Sequence, residues 1–113
     1  MGLRREKLNS IFLKEISDII RFSLKDPHIG FVTVMDVDVT NDLSYAKVYV
    51  SFLGKEERNE AGLKALNRAK GHIRSELAKR VRVRKIPELT FLLDESFKKA
   101  QRIEDIIEHI NEK

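Results

Sequence analysis

The chain contains no cysteine and no tryptophan. Without cysteine it can form no disulfide, thiolate nucleophile or cysteine-based zinc site, and this composition suits a reducing cytoplasm. No apolar run approaches the roughly 20 residues that span a bilayer, and residues 1–10 lack the apolar stretch of a secretory signal. We therefore expect a cytoplasmic protein with no membrane partner.

Sequence motifs for catalysis are also missing. There is no GxxxxGK[ST], GxGxxG or HExxH pattern, and His28, His72 and His109 are far apart in the chain. Asp36 and Asp38 lie two residues apart on one strand face and could act as an acid/base pair, but solvation of that face is the commoner role. We predict a protein that is not an enzyme and that needs no cofactor or metal.

The chain is long enough for one domain. Its 113 residues are 42% hydrophobic and 35% charged, which favours a folded globule over disorder. We expect a single domain over residues 1–113.

Apolar spacing predicts the first helix, over residues 4 to about 24, ended by Asp26-Pro27. Its predicted buried face is Leu8, Ile11, Phe12, Ile16, Ile19 and Ile20. The period then changes to two over residues 31–40, which indicates a strand. We expect the side chains of Phe31, Thr33, Met35, Val37 and Val39 to share one face of it.

A turn at residues 41–44 leads to a second strand, whose core face is predicted to be Ala46, Val48, Val50 and Phe52. Two helices follow, to about Arg84, and then a third strand containing Leu89, Phe91 and Leu93. A last helix is expected at about residues 95–111. The order α-β-β-α-α-β-α predicts an α+β fold, a three-stranded sheet packed with helices.

Positive charge is concentrated in residues 64–85. This stretch has nine Lys or Arg and one acid, a net charge of +8, whereas the whole chain carries +4. Two apolar series with helical spacing run through it: Ala61, Ala65, Leu66 and Ala69, then Ile73, Leu77 and Val81. Basic helices of this kind often simply face water, but they usually mix charges of both signs. The near-absence of acids favours binding to nucleic-acid phosphates.

The candidate RNA-binding residues fall into three groups. Arg68, Lys70, His72 and Arg74 cluster at a bend between the helices; Ser75, Lys79 and Arg82 are assigned to the exposed side of the second helix; Arg84 and Lys85 continue into the next loop. Gly71 would either let an RNA backbone approach closely or terminate a helix. Tyr45 and Tyr49 could stack on bases, but packing beneath a terminal helix is the favoured interpretation.

The order of elements resembles the type II KH domain, an RNA-binding fold. Typical KH domains join the two helices by a GXXG loop that holds the nucleic-acid backbone. This chain has Ala69-Lys70-Gly71 instead, and an Ala-X-Gly kink resembles that of the bacterial ribosome-binding factor A family. Further stretches similar to that family are Arg4-Arg5, Asp26-Pro27, residues 32–34, 44–51 and 86–91, Asp94, Arg102-Ile103 and Ile106-Ile107.

The resemblance implies a ribosome assembly factor. Such a protein would bind the free 30S small ribosomal subunit, assist late maturation and 5′-end processing of 16S rRNA, support growth in the cold, and leave when an assembly GTPase acts. We expect it to act as a monomer.

Two other binding functions stay open at this point. A helix pair broken near a glycine could be a DNA-binding helix-turn-helix, although the gap is shorter than the usual turn. Basic helices can also lie on membranes, but the apolar residues here are better used in a core.

Overall fold

The computed structural model describes residues 2–24, 27, 29–54 and 56–95. The elements are α1 (Gly2–Phe22), β1 (Val32–Val39), β2 (Tyr45–Phe52), α2 (Glu57–Arg68), α3 (Lys70–Arg80) and β3 (Glu88–Leu93). The predicted α+β order is confirmed as far as β3. The last helix, expected at about residues 95–111, lies outside the described residues apart from Glu95. No helix in the described part of the chain is long and apolar enough to cross a membrane.

The three strands form one sheet in the order β1-β2-β3. β1 and β2 are antiparallel and are joined by the predicted hairpin turn, whereas β2 and β3 are parallel. Parallel neighbours cannot be joined by a tight turn, so the chain must cross back over the sheet between them. α2 and α3 make this crossover, which places the basic stretch against the sheet.

A β-bulge at Met35 divides β1 into two halves. Val34 pairs with Val50 and Asp36 pairs with Tyr49, so Met35 is an extra residue on β1. The extra residue reverses the alternation, and both Val34 and Val37 point into the core. The predicted face was therefore wrong in the first half of the strand.

The exposed side chains are those of Phe31, just before β1, and of Thr33 and Met35 within its first half, all of which were expected on the same face as Val37 and Val39. Asp36 stabilises the bulge, since its Oδ1 accepts a hydrogen bond of 2.9 Å from the Val37 amide. β2 has no such interruption, and its predicted core face is confirmed: Ala46, Val48 and Val50 are buried and Phe52 is half-buried.

The three helices that the structure describes lie on one face of the sheet. α1 and α3 are antiparallel, because Ser23 near the end of α1 contacts His72 while Glu15 contacts Arg80 further along α3. Most of the predicted α1 face is buried, but Ile11 is 39% exposed. The buried stripe of α1 is thus narrower than its apolar pattern indicated; in the part of the chain that the structure describes, α1 packs mainly against β1 and α3.

Gly62 brings α2 close to the sheet. A Cβ atom at this position would overlap Cε1 of Phe52, so the phenylalanine ring fills the space that a side chain would need. Gly62 is buried, whereas Ala61, the first member of the apolar series in this helix, is exposed. Apolar periodicity missed Gly62 because a glycine has no side chain to count.

Candidate nucleic-acid interface

The bend between the two basic helices lies at Ala69. This residue keeps a helical conformation, with φ −87° and ψ −1°. Its amide is shared between the carbonyl oxygens of Ala65 and Leu66, each 3.1 Å away, and its own carbonyl accepts from the Ile73 amide at 3.0 Å. A single residue therefore separates α2 from α3. The helix-turn-helix motif needs a turn of about three or four residues, so this geometry does not fit it.

Gly71 lies in the first turn of α3, not between the helices. Its φ is not in the left-handed region, and a Cβ atom added to it would meet no other atom within 4 Å. The interpretation of Gly71 as a helix terminator is therefore wrong. The folded chain does not require a glycine at this position.

Three polar side chains of the candidate set surround the bend. Arg68 is exposed and Lys70 is half-buried. Nε2 of His72 lies 3.0 Å from Oγ of Ser23, which joins the start of α3 to the end of α1. His72 therefore has a partner within the fold and is also one of the candidate RNA-binding residues.

The outward side of α3 carries Ser75 and Lys79, as predicted. Nζ of Lys79 lies 3.3 Å from the carboxylate of Glu76 in an exposed pair. Exposed pairs contribute at most about 1 kcal/mol, so Lys79 can exchange this partner for a phosphate at little cost. Arg80 points the other way, with Nη1 3.4 Å from Glu15 on α1.

Arg82 does not lie on a helix. α3 ends at Arg80, and Val81 is extended, with φ −119° and ψ 129°. The expectation that the helix continues to about Arg84 was wrong, because the β-branched Val81 and Val83 favour an extended backbone. We call residues 81–87, which lead from α3 to β3, the connection.

Side chains alternate along the connection. Val81, Val83 and Ile86 pack against the core. Arg82, Arg84 and Lys85 are exposed between them. Among the residues that the structure describes, Arg82 and Arg84 pair with no acid. The connection therefore presents positive charge from an extended backbone that its apolar side chains hold against the core.

Arg74 contacts the far end of the connection. Its Nε donates to the Pro87 carbonyl and its Nη2 donates to the Ile86 carbonyl, both at 3.0 Å. Nothing in the sequence indicated this pair of contacts, since the partners are main-chain carbonyls. A charge pattern alone had assigned Arg74 to phosphate binding.

Lys85 reaches the hairpin turn between β1 and β2. Its Nζ donates to Oγ of Ser44 at 3.1 Å. In the same turn, a hydrogen bond from the Thr40 hydroxyl lowers the pKa of Asp42 to about 2, with the Ser44 hydroxyl and amide and the charge of Lys85 acting in the same direction. The contact between Lys85 and Ser44 therefore joins the connection to the hydrogen bonds of the hairpin turn.

The opposite face of the sheet is less suited to phosphates. Asp36 and Asp38 are exposed there, and Asp38 accepts from Nη2 of Arg5 at 2.6 Å. Each of the two carboxylates thus has a partner within the chain. Tyr49 is half-buried, but Tyr45 is 58% exposed, so the favoured packing role was wrong for Tyr45. Over the described ranges, no cluster of three His, Cys, Asp or Glu side chains could hold a metal ion.

Known sequences match this chain over nearly its whole length. The family described as Ribosome-binding factor A matches residues 4–107. A ribosome-binding factor A from Natranaerobius thermophilus is 47% identical over 110 residues, which is 97% of this chain and 84% of that protein.

Solved structures show the same similarity. A crystal structure of ribosome-binding factor A from Thermus thermophilus has a TM-score of 0.74 at 33% identity and covers 81% of this chain and 97% of its own. A solution NMR structure of a related Thermotoga maritima protein has a TM-score of 0.75 at 37% identity, covering 85% and 92%. A homology model of the Thermus thermophilus factor, fitted into a cryo-EM map of its complex with 30S, has a TM-score of 0.65 at 33% identity, covering 77% and 91%.

Proposed function

The chain belongs to the ribosome-binding factor A family, and we propose that it binds the free 30S subunit and assists late maturation and 5′-end processing of 16S rRNA. The 30S complex of the Thermus thermophilus relative supports this choice of partner. The protein would act as a monomer in the cytoplasm and leave the subunit when an assembly GTPase acts.

One observation carries the proposal: the bend, α3 and the connection are consecutive and together bear the concentrated positive charge. We call this set the basic surface; it consists of Arg68, Lys70, Gly71, His72, Arg74, Ser75, Lys79, Arg82, Arg84 and Lys85. Phosphates binding to these cations would release condensed counterions, which favours association with any structured RNA. Phosphate contacts position a protein without reading bases, so specificity would come from the shape of the rRNA.

Gly71 has a defined part in this mechanism. It is exposed and helical, and no neighbouring atom occupies the space beside its Cα. An RNA backbone could approach the first turn of α3 more closely there than at any residue with a side chain. The amides of that first turn would then face the phosphate, which the N-terminal end of a helix attracts.

A pair of charge reversals tests the proposal. We expect Arg82→Glu/Arg84→Glu to weaken binding to free small subunits strongly. The slope of log K against log salt should fall by about 2, because each phosphate contact contributes roughly 0.9. The matched control is Lys7→Glu/Lys47→Glu, which changes the net charge equally on α1 and on the opposite sheet face. Equal losses in the two variants would contradict the proposal, as would no loss in the first.

The protein's part in rRNA processing would be that of an accessory, because no catalytic motif is present in the sequence. We expect the pure protein to leave precursor 16S rRNA uncut while it increases the yield of mature 5′ ends in assembling subunits. Duplex DNA should compete poorly with small subunits, since only Ala69 separates the two helices. Cleavage by the pure protein, or equal competition by DNA, would contradict this assignment.

A further inference from the structure

Arg74 of the basic surface donates from its guanidinium to main-chain oxygens. Its two donors contact consecutive carbonyls, those of Ile86 and Pro87, with both distances at 3.0 Å. The Nε contact is partly buried. A guanidinium has five N–H donors in a fixed fork, which suits two acceptors held side by side.

These contacts fix the end of a segment that has few other polar restraints. At its start, the Val81 amide donates to the Leu77 carbonyl at 2.9 Å. Near its end, Lys85 donates to Ser44, and Glu88 begins the pairing of β3 with its amide 2.9 Å from the Ser44 carbonyl. Between these points Arg82 and Arg84 depend on the path of the connection for their positions.

We infer that Arg74 is a positioning residue for RNA binding: it holds the connection so that Arg82 and Arg84 are presented in a fixed arrangement. This inference rests on the proposed function and refines it. Arg74 would act through the connection, and its own contact with a phosphate would contribute little. Preorganised side chains bind more tightly because less conformational entropy is lost on association.

Lysine at position 74 separates positioning from charge. It keeps the positive charge, and a phosphate can accept a lysine as a point charge. One ammonium on a flexible stem cannot reproduce the planar fork that contacts two adjacent carbonyls. If Arg74 served only as a phosphate ligand, Arg74→Lys would bind nearly as well as the wild type.

The test measures binding of the full chain to purified free small subunits over a range of salt concentrations. We expect Arg74→Lys to bind about tenfold more weakly, the size expected for losing a charged hydrogen bond. Arg80→Lys is the control, because Arg80 lies on the same helix but points to Glu15, outside the basic surface, so lysine there should change binding by less than about twofold. An unchanged affinity in Arg74→Lys would overturn the inference.

A double-mutant cycle shows whether Arg74 acts through the connection. In the background Arg82→Gln/Arg84→Gln, the further change Arg74→Lys should have little effect, because the side chains that it positions are gone. The same tenfold loss in both backgrounds would mean that Arg74 acts independently, and the inference would be wrong. Thermal unfolding of each variant identifies any general loss of fold.

Amide hydrogen exchange tests the anchoring in the free protein. The amides at the two ends of the connection are hydrogen-bonded, Val81 to the Leu77 carbonyl and Glu88 to the Ser44 carbonyl. We expect the Glu88 amide, which follows the carbonyls that Arg74 contacts, to exchange about tenfold faster in Arg74→Lys than in the wild type, with no change in the middle of β2, since local opening has its own free energy. Unchanged exchange would overturn the anchoring even if binding fell. If the wild-type chain failed to bind small subunits, the proposed function would be overturned, and the exchange result would still decide whether Arg74 holds the connection.

Discussion

The two glycines of the crossover helices have opposite surroundings. Gly62 in α2 is buried, and the ring of Phe52 occupies the place of its missing side chain. Gly71 in α3 is exposed, and its missing side chain would have entered open space. Packing within the chain therefore explains the first glycine and gives no reason for the second.

The contrast extends to the helices themselves. α2 lies over β2 and β3 and buries Gly62, Ala65 and Leu66. α3 buries only Ile73 and Leu77 and turns its other sides to α1 and to solvent. We interpret α2 as the helix that packs the sheet and α3 as the helix that meets the partner. Alanine at each glycine would test this division with the same chemical change.

The largest effect on stability is expected from Gly62→Ala. The new methyl group would overlap the Phe52 ring, and we expect the free energy of unfolding to fall by about 2 kcal/mol even though alanine favours a helix. Chemical denaturation would measure this. A smaller residue opposite Gly62 should recover part of the loss. The double variant Gly62→Ala/Phe52→Leu should therefore lose less free energy of unfolding than the two single variants lose in sum. A variant as stable as the wild type would contradict the close packing of α2.

Gly71→Ala should have the reverse effect on stability. Its methyl group meets nothing, and alanine is the better helix former by about 1 kcal/mol, so the free energy of unfolding should rise by up to that amount. Binding to small subunits should nevertheless weaken, because the methyl group would hold an RNA backbone away from α3. Greater stability with undiminished binding would show that close approach at Gly71 is not needed.

The smallest expected effect is on the stability of the folded chain in acid. It should be the same in the wild type and in both glycine variants. The pKa of Asp42 is lowered from 3.8 to about 2 by its hydrogen bonds to Thr40 and Ser44. The ionised carboxylate thus stabilises the folded chain above about pH 4, and that contribution is lost as the pH falls towards 2. Between these values the melting temperature of the wild type should fall more than that of Asp42→Asn.

The glycine variants leave the hairpin turn intact, so their melting temperatures should follow the wild-type pH dependence. Parallel curves for the wild type and Asp42→Asn would mean that the turn does not hold Asp42 in its ionised form. A changed pH dependence in a glycine variant would indicate that the crossover helices and the turn are coupled.

Sequence periodicity was sufficient for elements with a single, uninterrupted pattern. β2 alternates without a break, and its buried Ala46, Val48 and Val50 were predicted correctly. The first half of β1 could not be assigned, because apolar residues occupy both faces and the bulge at Met35 leaves no mark in the sequence. Periodicity locates a face only where the opposite face is polar.

The basic surface is proposed from its charge, and charge alone did not indicate how each cation is used within the fold. Val81 continues the helical spacing of Ile73 and Leu77, and this spacing outweighed the weaker signal that the β-branched Val81 and Val83 favour an extended backbone beyond Arg80. The partners of Arg74 are main-chain carbonyls, which every residue type has, so the sequence does not mark them. Their position depends on the path of the backbone. Contacts of this kind become visible only when the fold is known.

The parallel pairing of β2 with β3 has a consequence for synthesis of the chain on the ribosome. β3 is the last described strand, and its alignment beside β2 places the Pro87 carbonyl within reach of Arg74. Pairings between distant segments form late, since loop closure must come first. A nascent chain that has not yet added its third strand would carry the cations without their final arrangement, so it should gain its full affinity for RNA only at the end of folding.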